Sequence, residues 1–113
     1  MHELPIVEHI VDQVDTMARE SGEESVAFVT LIVGQKTGVV PRFLWDYWPD
    51  VCEGTLLEGA ELQIEEEPYE VFCKSCGNVF RPDQIGLCPK CGVRKHEVLS
   101  GNKLLIKQIG FLD

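Results

Sequence analysis

Four of the five cysteines form two matched pairs, Cys73-x-x-Cys76 and Cys88-x-x-Cys91, with 11 residues between the pairs. Each pair places two thiolates on one tight turn, and the glycine after the second cysteine tolerates the unusual dihedral angles of such a turn. Two such turns close a tetrahedral site of four sulfur ligands. Zn(II) suits this site best, because it favours four soft ligands and has no redox chemistry. The spacing therefore predicts a structural zinc site.

The residues alone leave alternatives to zinc open. Iron in a rubredoxin-like site uses the same kind of turn, and the Cys-Pro-Lys-Cys-Gly stretch at 88–92 is compatible with it. Two disulfides or a redox dithiol are less consistent with paired turns in a reducing compartment. His96, five residues after Cys91, is close enough in sequence to replace a cysteine ligand at a different pH or metal load.

The cysteine segment differs from the rest of the chain in charge. Between Cys73 and His96 lie 5 of the 10 basic residues but only 1 of the 19 acidic residues. Four thiolates around one Zn(II) leave a net negative charge, which these cations would offset. The segment also has few apolar residues, so a metal is what allows such a small unit to fold. We therefore expect a basic zinc-ribbon insert in an otherwise acidic chain.

Three further groups could act as metal ligands or nucleophiles, but taken alone none of them indicates a functional site. Cys52 has no cysteine neighbour in sequence and is expected to be a buried or half-buried free thiol. His9 shares a helical turn with carboxylates and is expected to be solvated. The chain begins with Met1, His2 and Glu3; termini fray and tolerate change, so these residues taken alone indicate a disordered terminus more often than a ligand set.

The composition of the 113 residues excludes several function classes. The net charge is −9, whereas nucleic-acid binding depends on clustered Lys and Arg, so we expect no nucleic-acid partner. No apolar stretch approaches the ~20 residues of a membrane helix, and carboxylates interrupt the N-terminal segment, so neither a membrane span nor a signal peptide is expected. A cytoplasmic location follows. Without a Ser-His-Asp set, a phosphate loop or an open zinc position, the chain is not expected to be an enzyme.

Two helices are predicted to flank the first strand. Residues 5–20 carry one apolar stripe at helical period, with Pro5 in the first turn. A second helix begins at Pro41, and Pro49 is expected to kink or shorten it near Trp48. The apolar residues of this second helix are expected to pack in the core against the sheet; they are Phe43, Leu44, Tyr47, Trp48 and Val51.

Three strands are predicted at 25–33, 60–71 and 102–112. The first is almost continuously apolar, as in a covered strand. The second alternates apolar and acidic residues until Pro68 ends its pairing. In the third, alternation assigns Leu105, Lys107 and Ile109 to one face and the intervening residues to the other. The predicted fold class is α+β: a three-stranded sheet with two helices on one face, plus an inserted zinc-ribbon domain.

The order of segments along the whole chain resembles one known family. The stretches are MHELPIVEHIV, VGQKTGVVP, EGTLLEGAELQIEE, the two cysteine turns, and SGNKLLIKQI. Together they resemble the HypA family of nickel-insertion accessory proteins for [NiFe]-hydrogenase and, in some bacteria, urease. The chain departs from the usual family pattern at Pro5, Gln35, Pro49 and the Asn102-Lys103 pair, none of which is a proposed ligand.

The resemblance implies a nickel metallochaperone with two domains. These are a nickel-binding α/β domain, 1–69 and 98–113, and a zinc-ribbon domain, 70–97. It implies a Ni(II) site at the start of the chain and a Zn(II) site at the two cysteine pairs. The implied ligands are Met1, His2 and Glu3 for nickel, and Cys73, Cys76, Cys88 and Cys91 for zinc. It also implies two partners, the HypB GTPase and the hydrogenase large-subunit precursor, and we expect a monomer or weak homodimer.

The chemistry of the first three residues is consistent with that nickel site. The free α-amine, the next amide nitrogen and the His2 imidazole can reach one ion through small chelate rings, and Glu3 can add its amide nitrogen or its carboxylate. Deprotonated amides favour square-planar Ni(II) or Cu(II). An alternative function is a zinc ribbon that binds protein or nucleic acid through its basic residues, with an incidental N-terminus.

Overall fold

The computed structural model describes residues 2–112, and within them the chain forms two helices and two three-stranded sheets. A short 3₁₀ turn, Gln35–Thr37, lies between β1 and α2. In chain order the elements are α1 Glu3–Glu20, β1 Val26–Gly34, α2 Pro41–Cys52, β2 Glu61–Glu67, β3 Glu70–Cys73, β4 Val79–Phe80, β5 His96–Ser100 and β6 Leu104–Phe111.

The larger sheet has the order β2-β1-β6, with β1 parallel to β2 and antiparallel to β6. Because β1 is central, Val29, Leu31 and Val33 are almost completely buried. They share one core cluster with Val14 of α1 and Leu44 of α2, so both helices cover the same face. The predicted α+β arrangement of three strands and two helices is confirmed. We call this part, residues 2–67 and 104–112, the body.

The sequence predicted that Pro49 would kink or shorten the second helix near Trp48, and the shortening is not observed. The helix continues to Cys52 although Pro49 cannot donate to the carbonyl four residues earlier. Two indole hydrogen bonds tie the helix to the segment that it packs against. The Trp48 N–H donates to the Ala60 carbonyl at 2.9 Å, and the Trp45 N–H donates to the Leu62 carbonyl at 2.7 Å. Tertiary contacts therefore offset the break that Pro49 introduces.

The expectation that all the aromatic residues of α2 pack in the core is correct only in part. Leu44 and Trp48 are buried, but Phe43 and Tyr47 are 37% and 40% exposed. A helix on a three-stranded sheet buries one stripe, and these two rings lie beside that stripe. Cys52 is buried at the helix end, as predicted.

The alternation predicted for the last strand is broken by an irregularity in the pairing of β1 with β6. The register shifts between Thr30 and Leu31, so that Leu31 pairs with Ile106 but Thr30 pairs with Gln108. The extra residue changes which side chains share a face beyond this point. Ile109 consequently packs against the core, as Ile106 does, rather than sharing a face with Leu105.

The smaller sheet has the order β4-β3-β5, is antiparallel, and carries the cysteine pairs at its end. We call residues 70–100 the cysteine module. Its strands were not predicted individually, because β4 has two residues and β3 four. Within residues 2–112, neither helix is both long and apolar enough to cross a bilayer.

Two chain crossings join the cysteine module to the body, and the 3₁₀ turn is hydrogen-bonded to both. The Lys36 N–H donates to the Gly101 carbonyl at 2.8 Å, and the Tyr69 N–H donates to the Gln35 side chain at 3.4 Å. The Ser100 hydroxyl donates to the Pro68 carbonyl at 2.8 Å. We call this set of contacts the junction. It fixes how the module leaves the body.

Candidate metal centres

The four paired cysteines converge in the cysteine module. All four Sγ atoms lie within 4.8 Å of one another. The Sγ atoms of Cys73 and Cys91 lie 3.4 Å apart, and those of Cys76 and Cys88 lie 3.7 Å apart. A tetrahedral ion with metal–sulfur bonds of about 2.3 Å requires sulfur atoms about 3.8 Å apart. The cluster therefore has the dimensions of a four-cysteine metal site.

The two cysteine turns have the same backbone design. In the first, the Cys73 N–H donates to the Asn78 carbonyl at 2.9 Å and the Gly77 N–H donates to the Cys73 carbonyl at 2.8 Å. In the second, Cys88 makes the equivalent bonds with Val93 and Gly92, at 3.0 and 2.8 Å. Gly77 and Gly92 both have φ of 77°, in the left-handed region where only glycine is unstrained. This explains the glycine that follows each pair.

Backbone N–H groups inside each turn point at the first cysteine and stabilise its thiolate. The N–H groups of Cys76 and Ser75 lower the pKa of Cys73, against the effect of burial. Burial raises the pKa of Cys88, but the N–H groups of Cys91 and Lys90 outweigh it, and the pKa falls to about 6. These donors, together with the Asn78 amide 3.8 Å from the Cys88 sulfur, were missed in the sequence.

The sulfur atoms cannot all ionise without a cation between them. The Val93 N–H favours the Cys91 thiolate, but the neighbouring sulfurs, led by Cys73, together with burial raise its pKa to about 12. A divalent ion at the centre of the four sulfurs removes this repulsion and takes all four as thiolates. The donor set fits a soft, four-coordinate metal with no open position.

Three of the basic residues of the cysteine module contact carboxylates or a backbone carbonyl. Lys74 lies 3.4 Å from Glu97, and Arg81 lies 3.3 Å from Glu70. The Arg94 guanidinium donates to the Ile85 carbonyl at 2.6 Å. His96 is paired with Cys73 in the β3–β5 register, and its Nδ1 lies 3.0 Å from the Arg94 carbonyl. The predicted swap of His96 into the metal site remains a prediction.

At the other candidate site, Met1 lies outside the described residues, whereas His2 and Glu3 are both described. His2 is the N-cap of α1, with extended backbone angles; its exposed side chain makes no capping hydrogen bond. The first amides of a helix have no intrahelical partner, so the N–H groups of His2 and Glu3 are free of the helix ladder. A cavity of about 360 Å³ beside them is lined by His2, Glu3, Leu4, Pro5 and Tyr47.

Glu3 has a structural contact that sequence reasoning did not identify. The residue is only 7% exposed, and its Oε2 accepts a hydrogen bond from the Val40 N–H at 3.1 Å. Val40 immediately precedes α2, so the carboxylate joins the starts of the two helices. The partners are 37 positions apart, and no local pattern links them. The contact holds the first turn of α1 in place beside His2.

Comparison with known proteins identifies the family. The model of the family described as "Hydrogenase/urease nickel incorporation, metallochaperone, hypA" matches residues 1–111. The Hydrogenase maturation factor HypA of Chlorobium limicola is 38% identical over 110 residues, covering 96% of this chain and 95% of the relative. That of Streptomyces avermitilis is 37% identical over 117 residues, covering 100% of this chain and 88% of the relative.

Solved structures show the same fold. The solution structure of the Ni metallochaperone HypA from Helicobacter pylori has a TM-score of 0.70 and 23% identity, covering 99% of this chain and 98% of that one. A second solution structure, of HypA protein, has a TM-score of 0.74 at 23% identity and covers 99% and 97%. The chain belongs to the HypA family of hydrogenase and urease nickel-incorporation metallochaperones.

Proposed function

We propose that this chain binds Ni(II) at Met1, His2 and Glu3 and delivers it during maturation of [NiFe]-hydrogenase or urease. The observation that carries the proposal is an exposed imidazole at a helix start whose amide groups are outside the helix ladder. Deprotonating those amides costs no helical hydrogen bond. The resulting negative charge is favoured by the positive end of the helix dipole.

The amide nitrogen of Glu3, rather than its carboxylate, is the proposed ligand. The carboxylate is buried and accepts from Val40, so turning it toward an ion at His2 would break the contact between the helices. Glu3→Gln keeps an acceptor for the Val40 N–H and keeps the amide nitrogen. We expect it to retain stoichiometric nickel binding; loss of nickel in this variant with the fold intact would assign the carboxylate as a ligand.

To test the nickel site, untagged protein whose four-cysteine site is already loaded with metal is titrated with Ni(II), and binding is measured by calorimetry and absorption spectroscopy. His2→Ala should abolish tight binding, and so should acetylation of the α-amine. His9→Ala changes an exposed histidine within α1; it is the matched control and should bind nickel as the wild type does. Because amine, amide and imidazole all lose protons, affinity should rise with pH. Retained stoichiometric affinity in the His2→Ala or the acetylated protein would refute the site.

At the four cysteines the proposed ion is Zn(II). The 3.4 and 3.7 Å sulfur separations and the closed set of four thiolates support a structural role. Iron is the competing ion for the same ligands. Metal analysis of the purified protein decides: one zinc per chain in a colourless protein is expected, and a red, iron-containing protein would contradict the assignment.

The family's role in hydrogenase maturation leads to proposals about partners and location. We propose that the HypB GTPase and the hydrogenase large-subunit precursor are partners, that the protein acts in the cytoplasm, and that the chain is a monomer or weak homodimer. We also propose a division into two domains, residues 1–69 with 98–113 and residues 70–97. The separate small sheet supports this division, although the last strand of that sheet, β5, extends to Ser100 and so passes the proposed boundary at 97. Co-purification with HypB, with and without GTP, tests the first partner.

A further inference from the structure

The two cysteine turns have matching backbones but differ in one side chain. In each turn the N–H of the first cysteine donates to the carbonyl of the residue that lies two positions after the second cysteine. That residue is Asn78 in the first turn and Val93 in the second, with distances of 2.9 and 3.0 Å. The two positions are therefore equivalent, and only the first has a side chain that can donate a hydrogen bond.

Asn78 contacts both turns. Its carbonyl accepts from the Cys73 N–H within its own turn, and its side-chain amide donates to the Cys88 Sγ of the other turn at 3.8 Å. Sulfur is larger than oxygen, so hydrogen bonds to sulfur are longer than those to oxygen. A single half-buried residue thus joins the first turn to a sulfur ligand of the second.

The backbone of the first turn does not require asparagine at this position. The valine carbonyl accepts the equivalent hydrogen bond in the second turn. Among residues 2–112 only glycines have positive φ, so Asn78 does not have the left-handed conformation that asparagine tolerates better than most residues. The conformation of the turn therefore leaves the Asn78 side chain unexplained, whereas its contact with the Cys88 sulfur gives that side chain a role.

The four sulfur ligands differ in exposure. Cys73 and Cys88, the first cysteine of each turn, are only 1% and 2% exposed, whereas Cys76 and Cys91 are exposed. A chelator from solution therefore reaches the two outer sulfurs first, and the ion is lost only when the inner pair also detaches. Asn78 donates to one member of that inner pair.

A hydrogen bond to a metal-bound sulfur acts on both its charge and its position. The thiolate keeps part of its negative charge, so an N–H donor stabilises it, and the donor also fixes the orientation of the ligand. The bond from Asn78 crosses between the turns, whose ligand pairs are separated by 11 residues that form no regular structure beyond the two residues of β4. It therefore opposes separation of the second turn from the first.

We propose that Asn78 is a positioning residue of the four-cysteine site: its amide holds the Cys88 thiolate on the ion and opposes loss of the metal. The inference rests on the proposed metal at these cysteines. It does not depend on nickel binding at the start of the chain.

The first test measures metal affinity in the full chain by competition with a chromophoric zinc chelator. Asn78→Asp keeps the shape of the side chain but removes the N–H donor, and Asn78→Ala removes the donor without adding a charge. Each should lower the affinity for Zn(II) by about 10- to 100-fold. Val93→Ala is the matched control at the equivalent position, and its affinity should lie within about twofold of the wild type.

The second test detects the hydrogen bond directly in the wild type, so it applies even if a variant fails to fold. The nitrogen-labelled chain is loaded with an NMR-active cadmium isotope. A scalar coupling between the ion and the Asn78 side-chain amide protons is expected, because the bond to the Cys88 sulfur transmits it. A residue that only shaped the turn would show no such coupling.

Three results would overturn the role of Asn78: no coupling to cadmium, unchanged affinity in folded Asn78 variants, or an equal loss of affinity in Val93→Ala. Failure of the metal site itself looks different. A wild-type chain that binds neither zinc nor cadmium stoichiometrically would refute the proposed metal, and the role of Asn78 with it.

Discussion

Replacing Gly101 by alanine should destabilise the protein far more than the same change at Gly54. Both glycines have left-handed backbones, with φ of 86° and 79°. At Gly54 an added Cβ meets nothing within 4 Å, whereas at Gly101 it would lie 2.4 Å from the Pro68 carbonyl oxygen. The pair separates backbone strain, which both variants share, from steric conflict at the junction, which only one has.

The magnitudes follow from these contacts. Alanine in the left-handed region destabilises the folded state by about 1–2 kcal/mol. Alanine also reduces the conformational entropy of the unfolded chain, which stabilises the protein by about 0.4–1 kcal/mol, so the free energy of unfolding of Gly54→Ala should fall by about 1 kcal/mol. At Gly101 the conflict is with backbone and must displace a chain crossing. This displacement strains the bonds from Lys36 N–H to the Gly101 carbonyl and from Gly101 N–H to Glu67. At about 1 kcal/mol or more each, the total loss for Gly101→Ala becomes about 3–4 kcal/mol.

The assay is equilibrium unfolding in urea with the four-cysteine site saturated with metal, monitored by tryptophan fluorescence and circular dichroism. The expected gap between the variants is about 2–3 kcal/mol, which corresponds to a melting temperature lower by ~8 °C or more for a chain of this size. If the two variants agreed within about 0.5 kcal/mol, the tolerance usual for surface changes, the junction would not be the rigid contact described above.

Three further predictions concern titrating groups and the metal. Burial opposes ionisation of Asp15, but the hydrogen bond from the Leu56 N–H and the contact with Arg19 outweigh burial and lower the pKa of Asp15. The ionised carboxylate therefore stabilises the folded state at pH values above its unfolded-state pKa near 4, and this stabilisation is lost as the pH falls through the lower folded-state pKa. Asp15→Asn should therefore reduce stability at pH 7 and flatten its acid dependence in urea titrations; an unchanged profile would contradict this. Burial raises the pKa of Cys52 to about 12, so a thiol reagent at pH 8 should modify it only after unfolding, and rapid labelling of native protein would refute its burial. Removing the metal should collapse the amide NMR dispersion of the cysteine module but leave the β1, β2 and β6 signals; retained module signals would show that the metal is dispensable.

The parts of the fold that local patterns determine were predictable. The apolar stripe of α1, the apolar run of β1 and the spacing of the four cysteines each depend on residues close in sequence. The helix nevertheless begins at Glu3 rather than residue 5. The difference matters because it makes His2 the N-cap, which places the candidate nickel ligands at the end of an ordered element.

The features that sequence could not give depend on contacts between distant residues. Continuation of α2 past Pro49 depends on indole bonds to Ala60 and Leu62, and the face of Ile109 depends on a register shift against β1. The role of the Glu3 side chain depends on Val40. In each case the local sequence favours one conformation or role, and a contact with a residue distant in sequence produces a different one.

The hydrogen bond between Ser100 and Pro68 has a consequence for the order of folding. It joins positions 32 residues apart, and β6 must pair with β1 after the chain has passed through the whole cysteine module. Closing a flexible loop of that length costs about 3 kcal/mol in chain entropy. If the module has already folded around its metal, the loop is closed before β6 pairs, and Leu104 already lies close to the edge of β1. Metal capture during synthesis should therefore accelerate completion of the large sheet, so that a chain folding without metal reaches the same paired β6 more slowly.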